Sequence, residues 1–479
     1  MACISSRARG RRPIHLVDIL TVDAVTGGDA DRPMMMSTFR TPYRQKIRTA
    51  AAVFAIFVLN VSVQSVFFRH TLSEGTVTSL LPSYTDSIDY MRRAEGLARG
   101  GGFSEVFCDG LRMPGYPAFL SLFARVFARP EPAVRVAQIL LSASLILMCW
   151  SILNYLTRSA PAGLAGALVC ALWLPFYYFS PVLYAESVSL FLMGLLLLAI
   201  SRFDPHRPLP TMILPSVLTA AMIYMKPNHI LLLPALLAFT AAAAAGKGIR
   251  SGARLFLAPV LIVTAILAPW TVFLSRCQDS PVMLTTHGGW NLFLGSGGGH
   301  RYSDARHQGS ISTRAWVHFD LRDDEDSAAA YSQVPRGMRA AADRDYRHRA
   351  MERWKLRPLQ LTVYGLSKIL HVFGFSMRGP RDLIVMLHFL TSIVFSALLW
   401  KHRRWREWSI LLWSVTLITA AQAFVFLGEL RFKTVLFDPP ALVVIVLGSS
   451  VILRRISAPA SGDYKPGEEG PSAGRPVTG

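Results

Sequence analysis

The residues best placed to do chemistry lie in one polar stretch, 84–119, which reads YTDSIDYMRRAEGLARGGGFSEVFCDGLRMPGYPAF. It holds two carboxylates three residues apart, Asp86 and Asp89. An amphipathic run, a glycine triplet at 100–102 and Arg-Met-Pro-Gly-Tyr-Pro at 112–117 follow. A carboxylate can take the proton of an attacking hydroxyl as a general base. Lys and Arg can hold a phosphate leaving group, Arg through two parallel hydrogen bonds. The amphipathic run sets Ile88, Met91, Ala94 and Ala98 on one side and Asp89, Arg92, Arg93 and Arg99 on the other. That is the pattern of a helix lying on a membrane surface, and it would fix Asp86 beside a bilayer.

The elements that must position these residues are membrane spans. The chain has 479 residues, is 52% hydrophobic and 17% charged, and has a mean hydropathy of +0.36, too apolar for an ordinary soluble enzyme. Its apolar residues come in blocks long enough to cross a hydrocarbon core as helices. The formal charge of +20 does not point to nucleic acid, because the basic residues flank apolar blocks, where topology and anionic lipid account for them. Hydropathy places ten spans at 50–68, 134–156, 162–180, 182–201, 212–225, 230–245, 255–274, 383–400, 410–427 and 441–453. Residues 1–49 are Arg-rich with no apolar centre, so they read as a basic cytoplasmic segment rather than a signal peptide, with Met34, Met35 or Met36 as alternative starts. Arg158, Arg202, Lys247, the basic run 401–406, and Arg454 with Arg455 then all fall on the inner side. The stretch 361–375 carries Lys368 and His371 and is short, so it reads as an interfacial or re-entrant helix. The fold class is therefore an all-α polytopic membrane protein of about ten helices. It has a first outer loop at 70–133, a second outer segment at 276–381, a transmembrane domain over 50–455 and a disordered tail at 456–479. Cys108 and Cys277 fall in loops on the same outer side, which leaves a disulfide open to them, whereas Cys149 and Cys170 sit inside apolar blocks.

This topology brings polar residues from distant parts of the chain to one face. Asp86 and Asp89 are joined there by Glu186, by Lys226 and Asn228, by Arg276, by His287 and Asn291, and by Glu429 and Arg431. Ionisable groups at membrane depth are costly, so they pair or line a cavity. Each has a plainer alternative: Glu186 pairing with Lys226, or Arg276 anchoring a helix end. Aromatics such as Trp173 and Trp290 could stack on a sugar or simply form the interfacial belt. The acids DDED at 323–326 read as a solvated turn.

The ordered motifs carry a resemblance. An acid follows the first span, with Tyr90 four residues on. Gly-Gly-Phe at 101–103, Arg-Met-Pro-Gly-Tyr-Pro at 112–117, Leu-Tyr-Ala-Glu at 183–186 and Lys-Pro-Asn at 226–228 come next. Then come Pro269-Trp270 with Arg276, His-Gly-Gly-Trp-Asn-Leu-Phe-Leu-Gly at 287–295, and Glu-Leu-Arg-Phe at 429–432. Over roughly 50–450 the chain resembles the GT-C superfamily of polyprenyl-phosphate-sugar-dependent glycosyltransferases, in the protein-mannosyltransferase-like and aminoarabinose-transferase-like branch. The resemblance implies a multi-span helical enzyme of the bacterial inner membrane with its active site on the periplasmic face. Its partners would be a polyprenyl-phosphate-linked sugar donor, an acceptor of unspecified kind and the bilayer itself.

Carried over to this sequence, Asp86 matches the first-loop acid proposed as base, with Asp89 next to it. Lys226, Arg276 and Arg431 would meet the donor phosphate. Arg112, Tyr116, Glu186, Asn228, His287, Asn291 and Glu429 would contact substrate. Several positions depart from the family pattern: Lys226 stands where many relatives have Arg, no Asn follows Arg276, Phe432 replaces a Tyr, and Ser87 rather than a second acid follows Asp86. The last departure does not support a protein acceptor. No cofactor is implied with certainty, and a divalent metal is left open without a ligand spacing to support it. Two rival readings stand beside the transferase. One is a transporter or flippase of a lipid-linked sugar, although no inverted repeat is visible. The other is an outer-face glycan ligase or polymerase, for which His300, His307 and His318 near several Arg would speak.

Overall fold

The computed structural model describes residues 40–73, 84–204, 207–243, 249–297, 331, 334–376, 380–402, 405–426 and 430–457. These form helices and turns, with no strand among the described residues. Glu429, the histidines 300, 307 and 318, the acids 323–326, the alternative starts at 34–36 and most of both terminal segments lie outside them. Contacts divide the chain into Met1–Ile47, whose described residues are the first turns of α1, and Arg48–Gly479, which holds every other element.

α1 (Arg40–Ser73) opens the chain. Phe54, Val58, Leu59, Val63 and Val66 stay exposed along it, the face that lipid would cover. Its polar residues turn inward: Asn60 Nδ2 donates to the Ala171 carbonyl at 3.2 Å, and Gln64 Nε2 donates to Asn60 Oδ1 at 2.7 Å. In hydrocarbon such groups must find protein partners. The segment between α1 and α5 forms three helices, α2 (Tyr84–Ala98), α3 (Phe103–Phe107) and α4 (Gly115–Ala124).

α5 (Pro130–Thr157) starts on a proline, whose missing N–H costs nothing at a first helical position, and ends at Arg158 in the left-handed region with φ 55°. α6 (Ala160–Leu172) is capped by Ser159, which accepts from the Ala162 N–H at 3.4 Å. It is shorter than the expected span 162–180. Pro175 and Pro181 withhold N–H groups from the ladder, and the chain bends through the 3₁₀ turn Leu174–Phe176 to reach α7 (Glu186–Ser201). α8 (Pro208–Met225), the 3₁₀ turn Pro227–Leu231, α9 (Leu232–Ala243) and α10 (Ile249–Cys277) follow. After α10 come α11 (Gly288–Gly295) and α12 (Arg339–Leu356). α13 (Pro358–Val372), α14 (Pro380–Trp400), α15 (Arg406–Val425), α16 (Leu430–Leu436) and α17 (Asp438–Ser457) complete the described chain.

Among the described residues five helical stretches have the length and apolarity to cross a membrane: Ile47–Arg69, Pro130–Thr157, Leu255–Cys277, Pro380–Trp400 and Arg406–Val425. The other five expected spans coincide with shorter apolar helices, Ala160–Leu172, Glu186–Ser201, Leu209–Met225, Pro227–Ala243 and Asp438–Leu453. α5 packs on α6 and α7, α7 on α8, α8 on α10, α9 on α15, and α14 on α17. Small residues let these helices approach: a side chain at Gly194 would collide with Met148, and one at Gly166 with Leu153. Within α13, the expected interfacial helix, Lys368 is buried. Its ammonium holds the carbonyls of Gly295 (2.7 Å) and Phe426 (2.8 Å), which satisfies the last turns of α11 and α15.

Candidate active site

α2 delivers the two acids. Asp86 lies in its first turn, where a carboxylate suits the positive end of the helix dipole. The inner face of α2 is sealed by Tyr90, Met91 and Ala94, which pack with Tyr116 and Leu120 of α4. Arg93 does not face water as the sequence pattern implies; it is buried. It makes a bidentate pair with Asp109 (3.0 and 2.6 Å) and reaches Asp89 at 3.2 Å. The loop between α3 and α4 closes over it. Gly110, at φ 67°, lies so near Leu274 and Thr286 that a side chain there would clash, and Thr286 bonds both the Asp109 and Gly110 carbonyls (2.8 and 2.9 Å).

The same loop is tied down covalently. Cys108 and Cys277 form a disulfide with a Cα–Cα distance of 5.3 Å. Beside it Gln278 donates to the Cys108 carbonyl and to that of Arg336 (2.8 Å), and accepts from the Ala340 N–H (3.0 Å). One side chain and one disulfide thus join the loop between α3 and α4, the end of α10 and the start of α12.

Arg112 emerges from this tether onto the acids. Its Nη2 bonds Asp86 and its Nε bonds Asp89 Oδ2 at 2.9 Å, while the guanidinium lies 5.0 Å from the centre of the Tyr90 ring. Arg431 of α16 approaches the other oxygen of Asp86 at 3.5 Å and Glu186 at 3.8 Å. Glu186, at the start of α7, accepts a hydrogen bond from Lys226. The result is one chain of alternating charge, Asp89–Arg112–Asp86–Arg431–Glu186–Lys226, assembled from five separate parts of the sequence. The Phe432 ring lies 5.4 Å from both Lys226 and Arg431 and so keeps an aromatic partner for each cation. Burial opposes ionisation of Asp86, but Arg112, Arg431 and Lys226 more than offset it and hold the acid at about 2. Asp89 is likewise held below its usual value, by Arg93 and Arg112 against burial.

Glu186 Oε2 and Asn228 Nδ2 are among the buried polar atoms of the neighbourhood without a hydrogen bond. Such atoms mark places where a ligand or water completes a site. His287 caps α11, and its Nδ1 is also buried and unbonded. Burial, reinforced by the Arg112 cation, pushes the imidazole down to about 3, so it stands neutral. Asp343 fixes this corner by accepting the N–H groups of Gly289 (2.6 Å) and Trp290 (3.1 Å) at the start of α11. Asn291 is half-buried one turn along α11. Ser87, Met91, Glu131, Arg135, Leu183 and Tyr184 are among the residues lining a cavity of about 320 Å³ between α2, the start of α5 and the bend before α7; none of the six ions of the network lines it.

Two expected contact residues stand elsewhere. Tyr116 is completely buried and donates to Gln138 Oε1 at 2.6 Å; Gln138 in turn holds the carbonyls of Ser180 and Val182 (2.9 and 2.6 Å). Tyr116 therefore supports the bend that delivers Glu186. Arg276 is exposed at the end of α10 and has no ion pair among the described residues. Asp86 and Asp89, the pair left open for a divalent cation, share one guanidinium instead. Among the described residues no group of three or more His, Cys, Asp or Glu side chains gathers as metal ligands would.

A family model described as dolichyl-phosphate-mannose-protein mannosyltransferase matches residues 112–273. Over that region the chain is similar to the GT-C-type glycosyltransferases. The matched region covers about a third of the sequence and contains Arg112, Glu186, Lys226 and Asn228, whereas Asp86, His287 and Arg431 lie outside it. No curated protein matches the sequence. The family match and the apolar helices together support a membrane glycosyltransferase of the GT-C type.

Proposed function

We propose that the protein moves a sugar from a polyprenyl-phosphate-linked donor to a hydroxyl of an acceptor on the outer face of the membrane, with Asp86 as the base. The observation that carries this reading is the bridge made by Arg431 between Asp86 and Glu186, with Lys226 on the same carboxylate. A donor phosphate arriving at Arg431 and Lys226 would share these cations and add a negative charge near Asp86. Both effects raise the affinity of Asp86 for a proton, so the carboxylate becomes a competent base when donor is bound and is a poor one before. Asp89 and Arg112 orient it. The neutral His287 and Asn228 offer uncharged polar atoms to the sugar. The disulfide supports the outer-face assignment, since such bonds persist in oxidising compartments.

The test is a transfer assay with purified protein in detergent and radiolabelled polyprenyl-phosphate sugars, comparing wild type with Asp86→Asn. Loss of a general base lowers turnover by about 10²- to 10⁴-fold. Full transfer by a folded Asp86→Asn protein would remove Asp86 from the role. Tight donor binding without turnover in either protein would favour a transporter of lipid-linked sugars.

A further inference from the structure

The most deeply buried ion pair described in the chain takes no part in the network above. Lys433 of α16 is 1% exposed and Asp438, the first residue of α17, is 0% exposed; they bond each other directly. Asp438 also accepts from Trp173 Nε1 at 3.0 Å through its second oxygen, and His388 Nε2 of α14 lies 3.8 Å from the first. The Trp173 and His388 ring centres lie 4.0 Å apart at a tilt of 31°, and the Lys433 ammonium lies 5.7 Å from the Trp173 ring and 5.3 Å from that of Phe437. Three other elements thus converge on the carboxylate that α17 supplies.

Such a pair is a poor source of stability. Taking both charges out of water costs several kcal/mol per ion, and well-packed apolar residues commonly do as well. What it supplies is geometry. α16 has seven residues, too few to hold a helix on its own, and Arg431 is its second. Two residues along a helix turn the side chain by about 200°. Fixing Lys433 on the inner side therefore aims Arg431 at the opposite side, where Asp86 and Glu186 stand. The Phe437 N–H also closes onto the Lys433 carbonyl at 2.8 Å, which locks the junction of α16 and α17. We infer that Asp438 and Lys433 are positioning residues: their buried pair holds α16 at the angle that places Arg431 between the two site carboxylates. The inference rests on the proposed transferase reading for its kinetic consequence, though not for its geometry.

The test compares wild type with Asp438→Asn and with the double variant Lys433→Met/Asp438→Asn, using the donor-transfer assay over pH. The double variant removes both charges and keeps an acceptor for Trp173, so it guards against a single variant that fails to fold around an unpaired lysine. The groups facing Asp86 are Arg112 from the loop, Arg431 from α16, Lys226 after α8, Asp89 and Tyr90 on α2, Glu186 on α7 and His287 before α11. Of these, only Arg431 is carried by α16. The expected result is a folded double variant whose donor KM is about 10- to 100-fold higher, the order of effect of an ångström of misplacement. The acid limb of its kcat/KM profile should move up toward that of Arg431→Gln. An unchanged KM with an unchanged limb overturns the inference, and so does a double variant that cannot fold, because the pair would then hold the fold rather than Arg431. Asp86→Asn in parallel separates the two claims. If it transfers normally, the transferase reading fails. If it is inactive while the double variant matches wild type, only the positioning claim fails.

Discussion

Removing the disulfide should loosen the first outer loop without dissolving the site. Cys108 and Cys277 are 169 residues apart, and in the chain-entropy account closing a loop of that length stabilises by about 5 kcal/mol. That figure is an upper bound for this molecule, because apolar helices persist in the detergent-unfolded chain and already restrict it. The folded side also retains other ties across the same junction: Gln278 on the Cys108 carbonyl, Thr286 on Asp109 and Gly110, and Arg93 on Asp109. About half of the bound, roughly 2–3 kcal/mol, is a reasoned expectation for Cys108→Ser/Cys277→Ser, which corresponds to a fall in Tm of about 2–3 °C for a chain of this length. Arg112 is only four residues beyond Cys108, so the loosened loop should raise donor KM a few-fold while kcat at 25 °C stays near wild type. The assays are thermal unfolding in detergent, with and without reductant, and transfer kinetics on the same samples. Reductant should reproduce the double variant in wild type and do nothing further to the variant. A Tm within 1 °C of wild type would refute the reasoning, since the non-covalent ties would then suffice alone.

Three further outcomes follow from the geometry. Asp86 is held at about 2, below its ordinary 3.8, so its contribution to stability is complete above 3.8 and is lost as pH falls through 2. Arg431→Gln removes one of the cations responsible, and the acid limb of kcat/KM should rise; in wild type the limb of kcat should lie above that of kcat/KM, because bound phosphate competes for the same cations. Tyr116→Phe leaves Gln138 Oε1 without its partner in a sealed environment, so it should cost about 1–3 kcal/mol in unfolding measurements and change donor KM little, whereas a direct substrate contact would show chiefly in KM. Lys226→Met leaves Glu186 with Arg431 at 3.8 Å as its remaining ionic partner; donor KM should rise more than tenfold, and the companion Glu186→Gln should recover part of any stability lost.

The sequence could disclose what was written in composition and order, and little that depended on one loop folding over another. Ten apolar blocks announced the helices, and the acids after the first block announced α2. Glu186 and Lys226 were readable as partners because each stands at the outer end of a helix, and ends on one face must meet if both are buried. Arg93 misled for a physical reason. Its helical phase points outward from the apolar stripe, and only the disulfide-tethered loop carrying Asp109 turns that outward face into an interior one. Periodicity describes one helix and cannot report a lid supplied by another segment. Tyr116 misled in the opposite sense: a motif of polar and aromatic residues suggested contact with substrate, while its hydroxyl is consumed by Gln138, a residue of α5 that no local pattern connects to it. Arg431 shows how far the two kinds of information reach together. Its charge on the outer face was legible, and its partners were not, because its direction is set by Lys433 and Asp438, two ions hidden in an apolar run where hydropathy alone would have them avoided. The cost of burying them is the reason to look there for function.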